Sequence, residues 1–242
     1  MRLGLVIAAL LGLSACADAS SNETQQLCVD AVQHLEACGQ NTDAVFAEGC
    51  DEALAQDLLD VDCAGLENPG KSDVVADLLC RAGFYRSCKV PACPNALPED
   101  FHDWGNCEDL IEADGCAACD YYRCREETSV GVCGGEGYYL GFGYKYCLRY
   151  RQVTEPHMSA EGQIWSANTR RCLMETLDAE IPDSPDCDGL IRAGYASHPN
   201  CYLGTGFCEL PVMDWARIVN TIDFEDVDFA LMADVARDCS GN

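Results

Sequence analysis

Cysteine restricts this chain more than any other residue: nineteen of its 242 positions carry one, from Cys16 to Cys239. That share lies at the edge of disulfide-scaffold composition, about 8–10 %. Setting Cys16 aside, for a reason given next, leaves eighteen, an even number able to form nine bridges. In an oxidising compartment such residues pair with one another far more readily than they hold metal or carry out thiol chemistry. The chain is also long enough to bury a core, so the bridges supplement packing.

The N-terminus speaks to the compartment. Arg2 precedes the apolar run from Leu3 to Leu13, and Leu13-Ser14-Ala15-Cys16 closes it. A charged start, a short apolar run and small residues at a cleavage point make a secretory signal. The run is too short for a membrane-spanning helix, which needs about 20 residues. A cysteine directly after Leu-Ser-Ala resembles a bacterial lipobox. It implies a signal peptide over residues 1–15, lipidation at Cys16, and attachment to the cell envelope or surface. Residues 16–26 then read as a lipid-anchored polar tether. The net charge of −26 repels phosphates and anionic membranes, so nucleic acid is excluded as a partner and the membrane is met only through the lipid.

Beyond the tether the apolar spacing predicts a mainly α, disulfide-rich protein of stapled helices, with strand-like alternation scarce. Residues 27–106 form a Cys-rich helical region. A first helix spans 27–38 and stops at Gly39, a second is capped by Thr42 and carries Val45, Phe46, Cys50, Leu54 and Leu58, and a third follows Ser72. A short helix is expected from Pro98-Glu99-Asp100. Residues 107–143 read as a Cys-rich irregular segment. It ends in a Gly/Tyr-rich loop or hairpin, the expected joint between two halves. Tyr138, Tyr139, Phe142 and Tyr144 there either pack over disulfides or form a sugar or peptide platform.

Residues 144–242 read most clearly. Ser159 precedes one helix, Asp183 to Pro185 makes a turn, and the helix from Cys187 should close at His198-Pro199, since a residue before proline avoids the helical region. Helices then follow from Pro211 and over Phe224 to Cys239. From Cys147 the cysteine gaps run x24 to Cys172, x14 to Cys187, x13 to Cys201, x6 to Cys208 and x30 to Cys239. Ala160-Glu161-Gly162-Gln163-Ile164-Trp165, Cys201-Tyr202 and Phe207-Cys208 accompany this ladder. Over about residues 144–239 the pattern resembles the stanniocalcin family of secreted, helical, disulfide-rich glycoproteins. The resemblance implies that Cys172 pairs with Cys201 and Cys208 with Cys239. It further implies that Cys187 and Cys147 reach back to the 107–133 cluster, with Cys133 a candidate partner of Cys187. Upstream of Cys147 the gaps depart from the family after one step, and residues 27–106 fall outside the resemblance.

Catalytic signatures are scarce. No Gly-x-Ser-x-Gly elbow, zinc helix or phosphate loop is present. Of the four histidines, His34 flanks an apolar stripe and His198 reads as a surface or capping residue at a helix end. Cys116-Ala117-Ala118-Cys119 has acidic neighbours that disfavour a thiolate, so both cysteines read as structural. Asp223, Glu225, Asp226 and Asp228 offer oxygen ligands for Ca²⁺, without the EF-hand spacing; no other cofactor is expected. The sequence therefore reads as a non-enzymatic, extracytoplasmic, membrane-anchored interaction protein, monomeric, with an unidentified extracellular or envelope protein as partner. An extracytoplasmic hydrolase without a recognisable motif and a calcium-binding envelope protein are the alternatives.

Overall fold

The computed structural model describes residues 22–43, 45–47, 49–129, 133–180 and 186–240. The leader, Cys16 and the turn expected at Asp183 to Pro185 lie outside them. Among the described residues there are ten α-helices joined by short 3-10 and π segments, and no strand. Nine disulfides engage every cysteine after Cys16. The protein is a disulfide-rich all-α fold. Bridges in this number belong to an oxidising, extracytoplasmic compartment. No described helix is long and apolar enough to cross a membrane.

The N-terminal core of Leu35, Leu54, Leu58, Leu66, Leu79 and Phe84 is enclosed by four helices. They are α1 (Asn22–Ala37), α2 (Glu52–Leu59), α3 (Cys63–Glu67) and α4 (Asp73–Arg81). Cys28–Cys50 and Cys38–Cys63 tie α1 to the starts of α2 and α3. Two expectations change here. Helix α1 begins at Asn22 rather than Leu27, so the end of the supposed tether belongs to the folded body: Thr24 donates to Glu52 at 3.0 Å and Gln26 to Asp30 at 2.8 Å. Thr42 caps nothing, because its hydroxyl donates to Glu36 and the chain turns at Phe46 and Gly49, both at positive φ. The cap of α2 is Asp51, which accepts from the Leu54 N–H at 2.9 Å. Ser72 caps α4 as expected.

The segment over 107–143 is far more helical than its sequence reads. Two 3-10 turns, Cys107–Leu110 and Gly115–Cys119, lead into α5 (Asp120–Thr128). The expected helix at Pro98 is absent, since Arg123 takes the carbonyls of Leu97, Pro98 and Glu99 while Asp120 accepts from the Leu97 N–H. The Gly/Tyr segment is neither loop nor hairpin. Tyr138–Tyr144 is a π-helix that continues through α6 (Lys145–Arg149) into a second π segment, Tyr150–Thr154.

Four further helices follow: α7 (Ala160–Glu180), α8 (Cys187–Gly204), α9 (Val212–Thr221) and α10 (Phe229–Ser240). Helix α8 does not close at His198-Pro199 but runs on to Gly204. Pro199 removes one backbone donor, while the Ser197 hydroxyl and the His198 ring both turn to the Gly194 carbonyl and Cys172–Cys201 pins the next turn to α7. The final helix starts only at Phe229, because Asp228 accepts from the Leu231 N–H and Phe224–Asp226 is a separate 3-10 turn. Cys208–Cys239 fastens α10 to the turn before α9, Cys133 is bonded to Cys187, and Cys147 to Cys119. Cys172–Cys201, Cys208–Cys239 and Cys133–Cys187 are among the pairings expected above, and Cys119, the partner of Cys147, lies in the 107–133 cluster. The N-terminal unit meets the rest at Tyr85, which packs with Val153 and His157, and at Arg86, whose guanidinium lies 4.0 Å over the Phe224 ring and donates to Gln40.

Bridges that close long loops restrict the unfolded chain most. Cys133–Cys187 spans 54 residues and Cys80–Cys88 spans 8. Loop-closure entropy assigns them about 4 and about 2.5 kcal/mol respectively. Urea unfolding of the Cys133→Ala/Cys187→Ala and Cys80→Ala/Cys88→Ala double variants should show the larger loss for the first. Equal losses would mean that native packing, not loop closure, sets their contribution.

Candidate functional site

The π-helix places its aromatic residues inside the protein. Tyr138 and Tyr139 are 2 % and 0 % exposed, so the platform expected from Tyr138, Tyr139, Phe142 and Tyr144 is not a surface feature. Two glycines permit this burial. A Cβ on Gly194 would overlap the ring of Tyr138, and one on Gly143 would overlap the ring of Tyr122. Phe142 stacks on Tyr138 with centroids 5.5 Å apart and meets Tyr195 of α8 at 5.0 Å. Tyr144 takes a different place, beside the Arg123 guanidinium.

Around these rings lie two adjoining cavities, a chamber of about 60 Å³ and a cleft of about 250 Å³. Phe142, His198, Tyr202 and Ile222 face both. The chamber is lined by Tyr138, Phe142, Tyr146 and Tyr150, which recur every four residues. In an ordinary α-helix a four-residue repeat drifts by about 40° per step. The wider turns of a π-helix reduce that drift and keep the four rings on one side. The cleft lies among α8, α9 and α10, with Ile218, Val219, Leu231 and Met232 as apolar walls and Asp226 and Asp228 as its acidic members. It falls just below the usual range of ligand pockets, about 300–1,000 Å³.

His198 is the polar centre of both spaces. It is 4 % exposed, not the surface or capping residue that its place before Pro199 implied. Its Nδ1 lies 2.7 Å from the Gly194 carbonyl oxygen. A carbonyl only accepts, so Nδ1 carries the proton. Burial holds the ring's pKa down at about 4, against the opposing pull of the Gly194 and Tyr195 carbonyls. The imidazole is therefore neutral at pH 7, and Nε2 is left as a bare acceptor with no hydrogen-bond partner among the described residues. Tyr195 stacks on it at 5.9 Å and Tyr202 meets it edge-on at 5.4 Å. Burial likewise pushes the hydroxyls of Tyr138 and Tyr202 well above the ordinary tyrosine range. The signal for this face was available in sequence: Tyr195, His198 and Tyr202 are spaced by three and four.

Two of the four carboxylates considered for calcium, Asp223 and Asp226, hold a lysine instead. Lys145 Nζ lies 2.6 Å from Asp223 and 2.8 Å from Asp226, and Arg149 adds a 2.8 Å contact to Asp223. The Tyr146 hydroxyl donates to Asp226 at 2.5 Å. Burial would raise the Asp223 carboxyl, but the hydrogen bonds from Lys145 and Arg149 outweigh it and leave the carboxyl below its ordinary range. Asp228 is engaged as the cap of α10, and Glu225 is exposed. Among the described residues no group of three or more His, Cys, Asp or Glu side chains is arranged to hold a metal ion. Cys116 is bonded to Cys93 and Cys119 to Cys147, so the Cys-x-x-Cys pair is structural. The other histidines are engaged elsewhere: His34 with the Val61 carbonyl, His102 with Glu127, and His157 stacked on Tyr85.

The His198 environment sets a pH dependence. Its folded pKa, about 4, lies below the unfolded value of 6.5. The neutral ring costs nothing above pH 6.5; between pH 6.5 and 4 the unfolded state gains a proton that the folded state refuses, so stability falls with pH, by about 3 kcal/mol in all. Neighbouring tyrosines and Arg170 do not titrate in that window, and Asp226 and Asp228 are common to wild type and variant. His198→Asn, which keeps a donor for Gly194, should show a shallower loss between pH 7 and 4.5 by denaturant unfolding. Parallel curves would contradict the buried neutral ring.

Comparison of the chain with protein-family models, curated proteins and solved structures found no match.

Proposed function

We propose that the protein is an extracytoplasmic, non-catalytic binding protein, anchored through a lipid on Cys16 and built on a stanniocalcin-like scaffold, whose ligand occupies the aromatic cleft at His198. The observation that carries this reading is the cleft itself: about 250 Å³ of apolar and aromatic wall that includes His198, whose Nε2 has no hydrogen-bond partner among the described residues. A mostly apolar pocket with a few convergent polar groups is the usual form of a small-molecule site. The same geometry speaks for binding over hydrolysis. A histidine base is ordinarily oriented by a carboxylate and poised near neutral pH. Here Nδ1 is held by a carbonyl and burial keeps the ring unprotonated to about pH 4. The anchor rests on Leu13-Ser14-Ala15-Cys16, and the scaffold on the cysteine ladder together with the Cys172–Cys201, Cys208–Cys239 and Cys133–Cys187 bonds.

Two measurements test the reading. A neutral naphthyl fluorophore should bind the protein saturably at one site, and Val219→Trp, which fills the cleft, should weaken it by about tenfold or more, or 1.4 kcal/mol, with the melting transition retained. Unsaturable binding, or binding indifferent to Val219→Trp, would remove the cleft as the site. For the anchor, Cys16→Ala should move the full-length protein from the membrane fraction to the soluble extracytoplasmic fraction; unchanged fractionation would exclude the lipid.

A further inference from the structure

Resting on the cleft as the binding site, we infer that its ligand is a small organic cation, an ammonium ion carried on an apolar body about the size of one ring. Three independent features converge on this chemistry. The walls contributed by Phe142, Tyr195 and Tyr202 are aromatic, and the negative faces of such rings attract ammonium groups. The ionised side chains facing the cleft are Asp226 and Asp228, both anionic, while Lys145, which offsets part of the Asp226 charge, is not among the cleft residues. His198, more than nine-tenths buried, lines the same space, and its neutral ring keeps an Nε2 acceptor and no charge to repel a cation.

Size and field agree with this assignment. An apolar cavity of about 150 Å³ accommodates benzene, so a cleft of about 250 Å³ has room for a ring and a short alkylammonium arm. Burial raises the Tyr195 hydroxyl pKa first, and the fields of Asp226 and Asp228 add to it against a smaller opposing pull from Lys145. The whole chain carries −26, which draws cations toward the surface and discourages anionic ligands from entering. A carboxylate-bearing ligand would meet the Asp228 carboxylate, the lysine-paired Asp226 carboxylate and the Nε2 lone pair.

The test is a matched series measured by calorimetry on the disulfide-intact protein: 2-phenylethylamine, 2-phenylethanol and 3-phenylpropionate, with the neutral naphthyl fluorophore as a control for the cleft. The amine should bind about tenfold or more tightly than the alcohol, and the acid should bind most weakly. Asp228→Asn keeps the cap of α10, since asparagine caps as well as aspartate, and should close most of the gap between amine and alcohol. Equal affinity for amine and alcohol, or preference for the acid, overturns the cationic ligand while the cleft stands. Binding of the fluorophore without binding of the amine overturns it in the same way. Failure of fluorophore and amine together removes the cleft as the site and the inference with it.

Discussion

The ring of Tyr138 occupies the space where residue 194 would carry a side chain, and much of the molecule follows from that contact. Because residue 194 is glycine, α8 approaches the π-helix closely enough for Tyr138, Phe142, Tyr195 and His198 to form one aromatic group. Gly143 repeats the device one turn further along, where the ring of Tyr122 brings α5 against the same segment. The central core of Tyr121, Tyr122, Tyr138, Tyr139, Met174 and Leu177 is thus assembled around backbone that lacks side chains. Rigid rings packed against bare backbone leave spaces that no flexible side chain can fill. The chamber and the cleft border this packing.

Electrostatics divides the molecule between inside and outside. Only 15 lysines and arginines face 41 acidic residues, and several of those cations are committed to the interior. Arg123 pairs with Asp120, Arg149 with Asp223, Arg170 with Glu155 and Arg217 with Asp214, each arginine side chain being no more than 16 % exposed. Such pairs add little net stability over well-packed apolar residues, but removing one partner leaves an uncompensated buried charge, a loss of about 3–5 kcal/mol. Their effect is to fix registers: Arg149 and Lys145 of α6 hold Asp223 and Asp226, and so set where the chain leaves α9 for α10. Because each of these cations is withdrawn together with a carboxylate, the net charge of −26 is left to the exterior.

Legibility in the sequence followed the strength of local signals. Helices α1, α4, α7 and α9 carry apolar stripes at helical spacing, and for three of them a serine or proline stands just before the start, so they could be read directly. Helix α5 could not: Asp120-Tyr121-Tyr122-Arg123-Cys124-Arg125-Glu126-Glu127-Thr128 looks polar throughout, and its burial depends on long-range partners such as Leu97 and Asp178. The π-helix was hidden because Gly137, Gly141 and Gly143 read as loop punctuation, whereas their role at 141 and 143 is close approach to backbone and to the Tyr122 ring. Pro199 misled for a related reason. The local rule that ends a helix before proline is overruled where a disulfide and two side-chain donors stabilise the interrupted turn. His198 inherited that error, and with it the buried ring at the centre of the candidate site.

Covalent bonds also bear on how the cleft can work. Two of the three helices that line it are tied elsewhere: α8 at both ends by Cys133–Cys187 and Cys172–Cys201, and α10 by Cys208–Cys239. A domain closure would need these helices to move relative to one another, and the bonds oppose it. A site whose walls are already ordered loses less conformational entropy on binding, which favours affinity for a ligand that fits and offers little adaptation to one that does not. With Nε2 of His198 fixed by the bond from its own Nδ1 to Gly194, even the acceptor's direction is set before a ligand arrives. Selectivity in such a cleft therefore comes from shape and charge held in place, and the disulfides that stabilise the fold are the same bonds that hold them.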